Sequence, residues 1–313
     1  MGRGMEMKYA TRINSYLRNG NGLRQALEEI GGIDSLDYVD LNYPEHFVSY
    51  SVADIKAMLE RNKLKLSAIN MRFRCEYQNG VFTNPDAAIR QKAVELCVEA
   101  GKVCKELAGT HMIIWLSYDG YDYPFQMDYC NGWKNIRESV KSVCNAVDIP
   151  VSIEYKPYEE RVHTYMDSYA STLLMVNQVG CDNLGVTIDV SHMLMKKESP
   201  AMAAAILLEE KKLFSVHLND GEGSGDDGLM VGAIHPFKIF ELFYYLKKFS
   251  YDGIVYFDTF PKREKAALET AMNLSMCKKM ERLVESIGQA RLDEIVQSQD
   301  AVTVMKMLND CFV

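Results

Sequence analysis

Four residues that can ligate a metal ion stand at the ends of successive apolar runs in the second half of the sequence. They are Glu154 in VSIEY, Asp189 in GVTIDV, His217 in FSVHLND and Asp258 in IVYFDTF. A carboxylate or an imidazole buried in such a run must be paired, hydrogen-bonded or bound to a cation. Three carboxylates brought together raise one another's pKa, and a divalent cation removes that repulsion. We therefore predict a metal site made of these four residues.

The types of ligand restrict the metal and the chemistry. Three carboxylates with a single histidine suit Mn²⁺, Mg²⁺ or Co²⁺ better than a structural zinc ion, which prefers Cys and His. Such an ion withdraws charge from a substrate oxygen and lowers the cost of a carbanion on the adjacent carbon. The predicted reaction is removal of a proton next to a carbonyl. The base stays open among a ligand carboxylate such as Glu154, His192 and a hydroxide on the metal.

A scaffold has to bring these strand ends together. Short β-rich runs alternate along the chain with longer amphipathic helical patterns, which is typical of parallel strands joined by helices. Eight such runs are found, at residues 7–13, 38–42, 66–72, 112–117, 151–155, 185–190, 214–220 and 254–260. Eight βα units without a linker favour the α/β class and a single (β/α)8 TIM barrel, whose functional groups stand at the C-terminal ends of the strands.

The domain organisation follows from the same count. Residues 1–285 are predicted to form the barrel catalytic domain, and residues 286–313 a C-terminal helical tail. The tail contains LDEIVQSQDAVTVMKMLNDCF, whose apolar stripe must pack on another surface. That surface is either the barrel or a neighbouring subunit, and we expect an oligomer.

Composition excludes several classes of protein. With 48% hydrophobic residues, 25% charged residues and a formal net charge of -8, the chain reads as an ordinary globular protein without the clustered Lys and Arg that nucleic acids need. The eight cysteines are scattered and are expected to be reduced. No apolar run is long enough for a signal peptide or a membrane span, so we expect a cytoplasmic enzyme with no membrane partner.

The motifs around the predicted ligands resemble the xylose isomerase-like, metal-dependent sugar isomerases and epimerases. SIEYKPYEER resembles the fifth-strand segment of xylose isomerases, which implies Glu154 as a ligand and Lys156 as the group that polarises the substrate carbonyl. The alternative for Lys156 is a salt bridge to Glu159 alone. IDVSH resembles the next segment, with Asp189 as a ligand and His192 near the metal and the substrate.

The resemblance continues through the other strand ends. FSVHLND implies His217 as a ligand followed by Asn219, and YFDTFP implies Asp258 as the last ligand. On this basis we assign Trp115 and Asn219 to substrate binding, and we add His46, which lies on the loop after the second strand. YVDLNYPEHF departs from the pattern, because it lacks the His-Asp arrangement with which xylose isomerases open a sugar ring.

The sequences of two loops do not decide which substrate the predicted enzyme binds. The pair Asp226 and Asp227 is either a loose counterpart of second-metal ligands or a solvated loop. The segment SYDGYDYPFQMDY is rich in aromatic residues and suits a flat aromatic ligand or, alternatively, packing between helices or subunits; it contains Tyr118, Tyr121, Tyr123, Phe125 and Tyr129.

Within the family, the sequence is most similar to the catalytic α subunits of C-glycoside deglycosylation enzymes. That resemblance implies Mn²⁺, a small β subunit as partner, and a 3-oxo-glucosyl C-glycoside of a flavonoid-like phenol that loses its aglycone by β-elimination. The alternative is an aldose-ketose isomerase or a ketose 3-epimerase, which shares the metal and the proton abstraction. A three-zinc DNA-repair endonuclease and a sugar-binding barrel without activity fit the charge and the ligands less well.

Overall fold

The computed structural model describes residues 7–17 and 20–312. Its strands, in chain order, are β1 (Lys8–Arg12), β2 (Tyr38–Tyr43), β3 (Lys65–Met71), β4 (His111–Trp115), β5 (Gly120–Tyr121), β6 (Val151–Glu154), β7 (Tyr158–Glu159), β8 (Val162–Thr164), β9 (Leu184–Asp189), β10 (Leu213–Leu218) and β11 (Ile254–Phe257). Eight of these described strands form a closed parallel barrel in the order β1-β2-β3-β4-β6-β9-β10-β11. The predicted TIM barrel is confirmed, and each of its strands overlaps one of the predicted runs.

Helices surround the barrel. In chain order they are α1 (Leu23–Gly31), α2 (Val52–Arg61), α3 (Ala87–Glu106), α4 (Tyr129–Ala146), α5 (Tyr169–Val179), α6 (Val190–Lys196), α7 (Pro200–Glu209), α8 (Pro236–Lys248), α9 (Ala266–Ile287), α10 (Gln289–Ser298) and α11 (Ala301–Phe312). Several begin at a side chain that accepts a hydrogen bond from the first turn, as Asp86 does for α3 and Ser199 for α7. Such caps fix where a helix starts, and hence how long the preceding active-site loop is.

The barrel's register brings the predicted ligands side by side. His217 in β10 is paired with Asp189 in β9, and Trp115 in β4 is paired with Glu154 in β6. Strands β10 and β11 are also in register, so that the residue after β11, Asp258, follows at the same end. Parallel pairing therefore gathers residues from distant parts of the sequence at one end of the barrel.

The C-terminal region is helical, as predicted. Helix α10 packs on the outside of the barrel, where Asp293 accepts hydrogen bonds from Tyr244 Oη at 2.6 Å and Lys248 Nζ at 2.7 Å, and Leu292 is buried. Helix α9 runs past residue 285 to Ile287, and the division into domains 1–285 and 286–313 stays a prediction. Among the described residues, every helix is too short or too polar to cross a bilayer.

Candidate metal site and substrate pocket

The four predicted ligands meet at the C-terminal end of the barrel. Each offers one ligand atom, and these atoms all lie within 4.8 Å of one another. His217 Nδ1 is 3.4 Å from Glu154 Oε1, and all four residues are buried. The structure therefore brings together Glu154, Asp189, His217 and Asp258, although their assignment as ligands stays a prediction.

The buried polar atoms of this cluster fit a divalent cation. His217 is 1% exposed, and within the described chain neither of its ring nitrogens has a hydrogen-bond partner. A buried polar atom without a partner is costly, and a metal ion supplies the missing partner. With three carboxylates and one imidazole, the donor set suits Mn²⁺, Mg²⁺ or Co²⁺.

The pKa values of the clustered carboxyl groups also favour a bound cation. Burial raises the pKa of Asp189 to about 7; the nearby His192 opposes this shift, and Asp226 and Asp258 add to it. Burial would also raise the pKa of Glu154, but His217 and His192 outweigh it and lower that pKa to about 2. One carboxyl is thus held ionised while its neighbour is pushed toward protonation. A cation between them allows both to ionise.

Asn219 contacts two of the four proposed ligands. Its Nδ2 donates to Asp189 Oδ2 at 3.0 Å, to Asp189 Oδ1 at 3.2 Å and to the carbonyl of Asp258 at 3.2 Å. Its Oδ1 accepts from the backbone N–H of Ser191 at 2.8 Å. The side chain is fully buried, and these contacts are all with the protein. Its assignment to substrate binding stays a prediction, and its geometry gives it a positioning role.

We expect Asn219→Ala to weaken metal binding by about 10- to 100-fold, the usual cost of losing a partner that orients a ligand. Asp189 would lose its only side-chain amide donor among the described residues, so the effect should appear in the metal affinity, measured by titration of the chelated protein. Asn183→Ala, which removes an amide bound to backbone carbonyls far from the cluster, is the matched control. An unchanged metal affinity with a raised KM would instead support the substrate-binding role.

His192 lies beside the cluster, within 4 Å of Glu154 and Asp189. Its Nδ1 is 2.9 Å from the carbonyl of Tyr155, so Nδ1 carries a proton, and its Nε2 is 3.3 Å from Asp226 Oδ2. Burial would lower the pKa of His192, but Asp189 and Asp226 outweigh it and raise that pKa to about 9. His192 is therefore placed to hold or pass on a proton beside Glu154 Oε1, which lies 3.7 Å from Nδ1.

Lys156 and Asp226 form the next layer of the pocket. Lys156 Nζ is 3.0 Å from Asp226 Oδ2 and also pairs with Glu159. Burial would lower the pKa of Lys156, but Asp226 and Glu159 outweigh it and raise that pKa, so the ammonium keeps its proton. Asp226 is only 17% exposed and lines the pocket, so its side chain does not belong to a solvated loop, and its likeness to a second-metal ligand stays a hypothesis. Asp227 instead accepts the backbone N–H of Glu222.

The pocket over the cluster has a volume of about 300 Å³ and contains two arginines. The guanidinium of Arg12 lies 4.5 Å from the ring centroid of Phe260, and its Nε is 3.1 Å from Asp258 Oδ1. Arg72 lies 5.1 Å and Lys156 5.4 Å from the ring of Trp115, as cation-π contacts. Trp115 therefore lines the pocket with cations beside its ring, and its assignment to substrate binding stays a prediction.

Two predicted features lie outside this pocket. His46 is buried after β2, where its Nδ1 accepts the N–H of Asn42 at 3.0 Å and its Nε2 is 2.7 Å from Asn14 Oδ1. Burial lowers the pKa of His46 to about 4, so it is neutral, and its role in substrate binding stays a prediction. On the aromatic loop, Tyr123 and Phe125 are exposed, Phe125 completely, and do not line the metal pocket.

Sequence comparison matches the chain to a protein family and to curated relatives. A family model described as the xylose isomerase-like TIM barrel matches residues 25–279. A probable sugar isomerase of Mesorhizobium japonicum is 27% identical over 188 residues, which cover 59% of this chain and 43% of the relative. The chain spans about half the length of the curated relatives that it matches.

Solved structures share the fold. A D-tagatose 3-epimerase-like protein superposes with a TM-score of 0.74 at 18% identity, covering 90% of this chain and 99% of that one. A 3-keto-D-glucoside 4-epimerase from E. coli superposes with a TM-score of 0.67 at 14% identity, covering 87% of this chain and 99% of that one. At these identities the likeness establishes the barrel, and the chemistry must be argued from the site itself.

Proposed function

Because the chain belongs to the xylose isomerase-like TIM barrel family, we propose that it is a divalent-metal-dependent sugar isomerase or epimerase that removes a proton from the carbon next to a sugar carbonyl. The observation that carries this proposal is the cluster of Glu154, Asp189, His217 and Asp258 beneath a pocket lined by Lys156 and His192. Acid, base and cation are the groups that an enolisation needs.

The ion would be held by the four clustered residues and, when bound, would polarise the substrate oxygen beside the acidic carbon. Glu154 is ionised, borders the pocket and is the base that we propose. The protonated Lys156, fixed by Asp226 and Glu159, donates a hydrogen bond to the oxygen on which negative charge develops. His192 lies 3.7 Å from Glu154 and can return the proton to a neighbouring carbon.

Replacing Lys156 with Met is expected to reduce kcat by about 10²- to 10³-fold, the usual cost of losing one donor to a developing oxyanion. Metal content should stay unchanged, because Lys156 is not a ligand, and kcat with metal analysis measures both. Lys105→Met, which removes an exposed lysine paired with Asp148, is the matched control. If Lys156→Met lowered only the melting temperature, the salt bridges would be its whole role.

Wash-in of solvent deuterium tests the reaction class before the substrate is known. The metal-loaded protein is incubated in D₂O with a panel of free aldoses, ketoses and oxidised glycosides, and the sugars are analysed by NMR. Deuterium next to the carbonyl, together with interconversion of sugars, supports the proposal. A metal-loaded protein that exchanges no proton in any sugar of the panel, oxidised glycosides included, contradicts it.

A second candidate is cleavage of 3-oxo-C-glucosides of flavonoid-like phenols, with Mn²⁺ and a small β subunit. It is supported by the fold that the chain shares with a 3-keto-D-glucoside 4-epimerase and by the aromatic loop after β4. It begins with the same proton abstraction, so the products distinguish the two. Release of the phenol from an oxidised C-glycoside, with and without a co-expressed small subunit, would favour it, whereas interconversion of free sugars would favour the isomerase. The cytoplasmic location and the oligomer also stay predictions.

A further inference from the structure

A second cavity, of about 440 Å³, opens among the loops that follow β3, β4 and β6. We call it the outer cavity. The residues that line it differ from those of the metal pocket, although Trp115 of the pocket and Tyr118 of the outer cavity are only three positions apart. Its volume falls within the range of small-molecule sites, roughly 300 to 1,000 Å³. The proposed reaction makes no use of it.

The walls of the outer cavity are fixed by buried contacts. Asp119 Oδ1 accepts the backbone N–H of Thr83 at 2.6 Å, which ties the loop after β3 to the loop after β4. The backbone carbonyl of Asp119 accepts from the N–H of Tyr165 at 3.0 Å, and β5 is paired with β8. A Cβ on Gly132 would meet Tyr165 Oη at 2.2 Å, so this wall is closely packed. The cavity is thus preformed, which lowers the cost of binding.

The lining has the chemistry of a site for hydroxyl groups. Carboxamides are frequent in it, and those of Gln78, Asn79 and Asn131 make no side-chain hydrogen bond to any described residue. Each carboxamide offers both a donor and an acceptor, the combination that a hydroxyl matches. Asp122 adds an acceptor, since its Oδ1 is buried without a hydrogen-bond partner in the described chain. The wall therefore offers several polar atoms that a ligand could satisfy.

Charge and aromatic contacts narrow the class of ligand. The described lining contains Asp122 and Asp128 but neither Lys nor Arg, which disfavours phosphates and carboxylates. Tyr121 also lines the cavity, and its ring is oriented by Tyr129 at 5.1 Å and His163 at 5.5 Å. An aromatic ring packs against the C–H face of a sugar while amides and carboxylates bind its hydroxyls. A neutral, polyhydroxylated ring matches all of these groups.

We propose that the outer cavity binds a neutral sugar unit. The unit is either the distal sugar of a substrate that contains two, or a second sugar molecule. This inference goes beyond the proposed function, because it holds whichever reaction the metal pocket performs.

The direct test is binding of neutral sugars to the full-length, metal-free protein, in which turnover is prevented. Saturation-transfer NMR would use methyl glycosides of glucose, galactose and xylose, together with maltose. We expect at least one to bind, and Tyr121→Leu to weaken that binding by about tenfold, which is the upper range for one aromatic contact. Tyr123→Leu is the matched control, since Tyr123 is on the same loop but is 59% exposed and outside the lining.

A second variant is needed because Tyr121→Leu also changes the packing of the cavity wall. Gln78 and Asn79 are exposed, so the double change Gln78→Ala with Asn79→Ala leaves the buried walls intact and should also weaken binding. The proposal is overturned if none of the sugars binds, or if both variants bind as the wild type does.

Turnover by the metal-loaded protein separates the two sources of the sugar. If the unit belongs to the substrate, Tyr121→Leu raises KM for a two-sugar substrate and leaves KM for its single-sugar counterpart unchanged. If the unit is a second molecule, neither KM changes while binding still weakens. Sugar binding without any turnover would contradict the proposed function and support the proposal for the outer cavity. Turnover without sugar binding would support the proposed function and contradict the proposal for the outer cavity.

Discussion

Glu154→Gln is expected to lower kcat by about 10³-fold or more, because the change removes the proposed base and one charged metal ligand at once. The amide keeps the volume of the side chain, so the substrate pocket retains its shape. Glu154 is buried, and the nearby His217 and His192 keep its pKa low, so the change removes a negative charge from the cluster. The measurement is kcat at saturating Mn²⁺, together with deuterium wash-in at the carbon next to the carbonyl.

The fold should survive this substitution, because the ligands sit at the ends of strands whose apolar layers form the core. Circular dichroism and the melting temperature of the metal-free protein check this point. Glu138→Gln is the matched control, since Glu138 is 59% exposed and pairs with Lys134 on the outer helix α4. Wild-type activity in Glu154→Gln would remove Glu154 from the reaction.

His217→Ala is expected to abolish metal-dependent stabilisation as well as activity. A ligand that binds only the folded state raises the free energy of unfolding, by roughly 2.7 kcal/mol at 100 times its Kd. Mn²⁺ should therefore raise the melting temperature of the wild type by a few degrees. It should leave that of His217→Ala unchanged, since the cluster would lose its only nitrogen ligand among the described residues. Differential scanning calorimetry with and without chelator measures both effects.

A control variant and a metal analysis complete the test of His217→Ala. His163→Ala removes an exposed histidine on the same side of the barrel and should respond to Mn²⁺ as the wild type does. Elemental analysis of the wild type should give about one divalent ion per chain. About three zinc ions per chain would point instead to the endonuclease class, and a melting temperature that Mn²⁺ does not change in the wild type would argue against the site.

The barrel and the clustering of the four proposed ligands were predictable because both depend on local periodicity. Polar residues that end apolar β-runs are conspicuous, and parallel strands necessarily place those ends together. The same period of two relates His217 to Asn219, which puts both on the inner side of the chain and could have indicated that Asn219 faces the ligands. Residue spacing alone does not show that both Asp189 oxygens are bound by this amide.

The remainder of the pocket was not predictable in this way. Arg12 ends β1 and Arg72 follows β3, but neither stands in a motif that predicted a ligand, and a single arginine at a strand end has no pattern that separates a pocket residue from a surface one. Asp226 reaches Lys156 through a loop whose path has no sequence period. The positions of the aromatic side chains on the loop after β4 were also not predictable. Tyr121 lines the outer cavity, whereas Phe125 is fully exposed to solvent.

The ring of strands divides the groups at its mouth into two halves. The proposed ligands come from β6, β9, β10 and the end of β11, whereas Arg12, Arg72 and Trp115 come from β1, β3 and β4. The outer cavity also belongs mainly to the loops after β3 and β4. Arg12 and Trp115 contact groups of the first half, but the outer cavity shares no lining residue with the metal pocket. We therefore expect substitutions in the outer cavity to alter which molecule is accepted with little effect on the proposed reacting groups. Such a partition allows evolution to change the substrate while the reaction stays the same, because different strands carry the two sets of residues.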